Sequence, residues 1–120
     1  MFPKMDPSPS LFPQRAQLFY AETVHQRIEE NINTRMKELK EGQSLSVEVI
    51  LHDRRIMPTF FGYHNPNFIL VHGEDDNGNE VEALVPHTAI QIVMTVLDKP
   101  TKKKPIVFQS HKAESDRKQS

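Results

Sequence analysis

The sequence predicts a mostly β fold, in which one amphipathic helix leads into a small barrel of five short strands. Three observations carry this. Apolar residues recur at three- and four-residue steps over the segment 14–41, the spacing of one helix face. Period-two alternation replaces that spacing after Gly42. From there to residue 96, turn signals cut the chain into five short apolar stretches.

The elements follow in order. Residues 1–13 contain Pro3, Pro7, Pro9 and Pro13, so they read as an extended, flexible arm. The domain proper spans 14–96, with the helix over 14–41 and the barrel over 42–96. In the helix, Leu18, Ala21, Val24 or His25, Ile28, Ile32, Met36 and Leu39 make the apolar stripe. Such a stripe packs onto its own barrel or serves a neighbouring subunit. Leu45, Val47, Val49 and Leu51 alternate with Ser46, Glu48, Ile50 and His52 in the first strand, and Asp53-Arg54 reads as the turn. Residues 56–63 form the second strand, with Gly62 at a bend or bulge. Phe68-Ile69-Leu70-Val71 is the third. Asp76-Asn77-Gly78-Asn79 is a hairpin signal, because Asn-Gly accepts positive φ. Residues 80–85 and 89–96 are the last two strands, joined by the corner Pro86-His87-Thr88. Residues 97–120 form a basic tail that reads as disordered.

Composition narrows the function classes. A chain of 120 residues with 37% hydrophobic content supports one modest core, for which self-association is a natural source of added stability. There is no cysteine, so neither a disulfide framework nor a Cys-based zinc site is available. No apolar run reaches membrane-spanning length, and the expected location is the cytoplasm. Residues 42–96 carry two basic against seven acidic side chains, whereas 97–120 carry seven basic against three acidic. A generic nucleic-acid binder shows the opposite arrangement, with its basic stripe on the folded part. The six histidines show no ligand spacing and read as scattered surface residues, with no metal or other cofactor. Glu74-Asp75-Asp76 lacks the alternating ligands of a calcium loop. No nucleophile motif or Gly-rich phosphate loop is present, and no enzymatic activity is expected.

Gly42, Val47, Val49, Leu51, Asp53, Arg55, Gly62, Tyr63, Asn67 and Leu70, followed by Val85-Pro86-His87-Thr88-Ala89-Ile90, resemble the pattern of the Sm-like family, the Sm/LSm proteins and Hfq. The resemblance covers roughly half of the chain, and its closing portion is nearer the Hfq form. It implies a small open barrel of five strongly bent antiparallel strands, capped by the N-terminal helix, that closes into a hexameric or heptameric homo-oligomeric ring, the fourth strand of one copy pairing with the fifth of the next. The two edges, residues 80–85 and 89–96, support this physically, since neither is guarded by an inward charge.

The resemblance also implies a single-stranded RNA site at the inner rim, formed by Tyr63, His64, Asn65, Pro66, Asn67, His87 and Thr88, and a role in RNA pairing or turnover. Splayed bases need stacking surfaces and amide or hydroxyl groups at their edges. Pro66 stands where Hfq proteins carry an aromatic residue, and Pro86-His87 where the family has Lys or Arg. Auxiliary basic contacts would come from Arg54, Arg55, Lys102, Lys103 and Lys104. The alternative is a ring without RNA binding that serves as a protein-interaction scaffold.

Overall fold

The computed structural model describes residues 18–110. The arm of residues 1–13, the first part of the expected helix and the end of the tail lie outside them. One helix, α1 (Tyr20–Lys37), precedes β1 (Ser44–Leu51), β2 (Arg54–His64), β3 (Phe68–Glu74), β4 (Glu80–Pro86) and β5 (Gln91–Leu97), and a two-residue strand, β6 (Val107–Phe108), follows. The five main strands are antiparallel and form an open sheet in the order β4-β3-β2-β1-β5. β6 pairs in parallel with β2. No helix among the described residues is long and apolar enough to cross a membrane.

The helical stripe packs onto the chain's own sheet. Ala21, His25, Ile28 and Ile32 are its buried positions, a 4-3-4 spacing that keeps them on one face. They join Val47, Val49, Ile56, Phe61, Ile69, Val71 and Val85 in one core. At its C-terminal end the helix falls short of the expected residue 41. It ends at Lys37: the Leu39 amide already turns back onto the Met36 carbonyl three residues before it, and a turn closed by Gln43 then redirects the chain. In that turn the Gln43 amide donates to the Lys40 carbonyl at 3.0 Å, and the Lys40 amide donates to Gln43 Oε1 at 2.8 Å.

Further boundaries differ from expectation for local reasons. The first turn is His52-Asp53, with His52 at φ 51°, so Arg54 begins β2. The register irregularity in β2 lies between Pro58 and Phe60, where proline has no amide to offer the ladder, and not at Gly62. β5 starts at Gln91 because the corner extends past residue 88, the Ala89 amide donating to the Pro86 carbonyl. The expected disordered tail contains an ordered piece. Ile106 and Phe108 pack against the core, and β6 fills the side of β2 that β1 leaves free.

His25 corrects the reading of the histidines as surface residues. It is 2% exposed, and its Nε2 donates to the Phe61 carbonyl at 3.1 Å. Its ring lies 5.0 Å from that of Tyr63 and 5.8 Å from that of Phe108. Burial of a polar ring is tolerated here because its N–H has a carbonyl partner.

The β3–β4 hairpin forms as the Asn-Gly signal requires, with Gly78 at φ 80°. Asp75 organises it: its Oδ1 accepts the Asn77 and Asn79 amides, both at 2.9 Å. The Asn79 amide is the largest cause, ahead of that of Asn77 and the charge of Arg54, that holds the Asp75 carboxyl below its ordinary value. A carboxyl depressed in the folded state stabilises at pH above its unfolded value of about 3.9 and loses that contribution as pH falls through the lower folded value. Asp75→Ala is therefore expected to lower stability at neutral pH and to flatten the acid limb of the stability–pH curve below about pH 4, read by urea unfolding across pH.

Candidate nucleic-acid interface

The β2–β3 loop, the β4–β5 corner and the start of α1 meet at one end of the molecule. His87 joins the first two. Its backbone amide donates to the Asn67 carbonyl at 2.7 Å, and its Nδ1 lies 3.2 Å from the same oxygen. Because a carbonyl only accepts, Nδ1 carries the proton and the neutral ring has Nε2 as acceptor. Tyr20 lies beside this ring, with centroids 5.4 Å apart and planes tilted by 55°.

The loop has a second task that sequence reasoning missed. Helix α1 has Phe19 at its N-cap and no side-chain cap of its own, which leaves its first amides without intrahelical acceptors. Asn65 supplies one from a distance of 43 residues along the chain: its Oδ1 accepts the Glu22 amide at 3.1 Å. Its Nδ2 donates to Glu22 Oε1 at 3.0 Å. The Pro66 carbonyl accepts the Ala21 amide at 2.8 Å, across a loop in which the Asn65–Pro66 peptide is cis. The available signal was negative. No Ser, Thr, Asp or Asn stands just ahead of Tyr20, although Asn is among the best cap residues.

Of the seven residues expected at a rim, five make contacts within the fold, His87 and the Asn67 carbonyl with each other. Asn65 and Pro66 hold the helix, and Tyr63 is half-buried against His25. His64, Asn67 and Thr88 are exposed, and His87 is half-buried. Among the described residues the Asn67 side-chain amide has no hydrogen-bond partner. These groups offer an amide, a hydroxyl and a ring face to a base, with no fixed cation among them.

The auxiliary cations are placed elsewhere. Arg54 lies 3.8 Å from Asp75, and Arg55 lies 3.1 Å from Glu48 and 3.7 Å from Asp76. The hydrogen bond that Arg55 donates to Glu48, reinforced by the charges of Glu48 and Asp76, raises the Arg55 pKa, so that guanidinium is charged and already faces carboxylates. Lys102, Lys103 and Lys104 line a groove of about 610 Å³ together with Ile32, Met36 and Leu39. That groove is at the C-terminal part of α1, whereas the loop and corner sit at its N-terminus.

Comparison with protein-family models, curated proteins and solved structures finds no match to this chain. The site therefore rests on its own geometry.

Replacing Asn65 with Ala removes the remote cap and is expected to cost about 1 kcal/mol of stability, measured by urea unfolding. Asn65→Asp keeps the acceptor but places a carboxylate beside Glu22, and an intermediate loss is expected.

Proposed function

We propose that this chain is an Sm-like barrel protein that assembles with copies of itself into a closed ring and binds single-stranded RNA at the ring's rim. The observation that carries the reading is the sheet order, with β4 and β5 as its two ends. Each is a seven-residue strand, and each presents a row of backbone groups that a neighbouring strand can satisfy. Pairing β4 of one copy with β5 of the next uses both edges and is heterologous, the kind of contact that closes rings. Exposed apolar side chains stand on both strands, Leu84 at 53% on β4 and Val93 at 44% and Val96 at 49% on β5. Antiparallel pairing with the core faces aligned brings Leu84 and Val93 to the same outer face, where cross-strand apolar pairs add stability.

The RNA part of the reading is supported by the meeting of Asn67, His87 and Thr88. A half-buried imidazole fixed by its Nδ1–H gives a stacking face and one acceptor, and the free amide of Asn67 can read a base edge. Repetition of this cluster around a ring multiplies a weak contact into a usable one.

A second reading, a ring that serves as a protein scaffold without RNA, is favoured by two observations. The segment 42–96 is acidic, which opposes phosphate contact, and Asn65 and Tyr63 are occupied within the fold.

Light scattering coupled to size exclusion is expected to give six or seven chain masses, and a monomer at micromolar concentration contradicts the ring. Binding of oligouridylate and oligoadenylate is expected to weaken with salt and to fall about tenfold, ~1.4 kcal/mol, in His87→Ala. A ring that retains neither oligomer leaves the scaffold reading.

A further inference from the structure

The segment 106–109 holds the free side of β2 through a small set of specific contacts. Val107 and Phe108 pair in parallel with Phe60 and Phe61. The Gln109 amide donates to the Phe61 carbonyl at 2.9 Å, and the Tyr63 amide donates to Gln109 Oε1 at 3.0 Å. Gln109 therefore sits opposite Gly62 as the next residue of a parallel strand would, with its side-chain carbonyl in place of its backbone one. A Cβ at position 62 would fall 2.8 Å from Gln109 Oε1 and 2.9 Å from the Phe60 ring, so both side chains would have to shift to admit it.

Phe108 supplies the apolar anchor. Its ring stacks on Phe61 with centroids 5.6 Å apart and planes 12° from parallel. The buried His25 lies edge-on to it. The Phe61 carbonyl thus receives two donors, Gln109 N–H and His25 Nε2–H, which uses both of its lone pairs. Main-chain pairing with a pocketed aromatic residue and one side-chain amide is the recognition mode of a peptide added to a sheet edge.

The tether to this segment is weakly held. Among the described residues, its start is fixed by Gln43 Nε2 donating to Asp98 Oδ1 and Ser44 Oγ donating to the Lys99 carbonyl. Beyond that, the bond from the Lys103 amide to Thr101 Oγ1 lies within the tether itself, and residues 101–105 are exposed. The tether also springs from β5, an edge strand.

We propose that the edge of β2 is a peptide-docking groove for a second copy of the chain, so that in the assembled state residues 106–109 of one copy seat on β2 of its neighbour. This rests on the proposed pairing of β4 with β5. Reach permits it. Because β6 lies on the β1 side of β2, its own groove is one strand spacing across the sheet from β5, about 5 Å, whereas through a paired β4 the neighbour's groove is four, about 19 Å. The nine tether residues, 98–106, extend to about 30 Å. Groove and segment are identical in every copy, so exchange keeps each contact and changes only how far the tether stretches.

The chain has no cysteine, which makes a direct test available. Phe60 and Val107 are register partners, and the full-length double variant F60C/V107C is oxidised at micromolar concentration and run without reductant. Tail exchange is expected to give covalently linked multimers, and mixing the single variants F60C and V107C is expected to give linked heterodimers. Only intrachain disulfides, with no linked heterodimer on mixing, overturn the proposal. Size exclusion of the wild-type chain reports separately on the ring. Association with purely intrachain links overturns the exchange alone, whereas interchain links in a chain that never exceeds a dimer support exchange and defeat the ring. Should the cysteines prevent a cooperative melt, a labelled peptide of residues 104–110 is titrated into the wild-type chain. Saturable capture that an F108A peptide lacks supports the groove, and no capture at any attainable concentration overturns it.

Discussion

The sheet ends on two strands, β4 and β5, that each have a backbone partner on one side among the described residues. The strands between them have neighbours on both sides for at least part of their length. β3 lies between β2 and β4, β1 between β2 and β5, and β2 takes β6 where β1 departs. Unpaired backbone donors and acceptors along a strand are a standing invitation to another strand. Proteins that keep such edges apart use inward charges, bulges or proline, and here proline comes only at the end of β4, as Pro86. The functional reading depends on this constraint more than on any single side chain.

At one end of the molecule, the contacts that hold the fold and the proposed RNA contacts draw on the same loop. The helix begins on Phe19 without a cap of its own, and the β2–β3 loop provides the missing acceptors through Asn65 and Pro66. That loop is tied in turn to the β4–β5 corner by His87. Three segments distant in sequence are thereby fixed together by a few hydrogen bonds. The surface left for a ligand is smaller than the motif suggests, and it consists of Asn67, His87, Thr88 and His64. A small polar patch with no cation becomes useful chiefly by repetition, which links the recognition question back to the edges.

The parts of the fold written in local periodicity could be read from the sequence. The alternation from Leu45 to Leu51, the apolar run from Phe68 to Val71 and the Asn77-Gly78 turn all name elements that the structure contains. The stripe through Ala21, Ile28 and Ile32 named the buried helix face. Contacts across long separations could not be read in this way. Nothing near Asn65 in sequence indicates that its partner is Glu22, and nothing in a Lys- and Pro-rich tail indicates that Gln109 completes a ladder step on β2. Gly62 carried a signal that was read as a bend, while the register irregularity of β2 lies at Pro58–Phe60 and the space beside Gly62 holds Gln109 and the Phe60 ring. His25 was one of two candidates for the helix face, and its burial depends on a carbonyl of β2.

Amide hydrogen exchange at low and high protein concentration tests the role of the open edges most directly. Pairing between copies requires amides of β4 and β5 to gain protection as concentration rises, while those of β1 and β3 keep the protection they already have within one chain. Fast exchange along the outer sides of both edge strands at every concentration contradicts self-assembly through them.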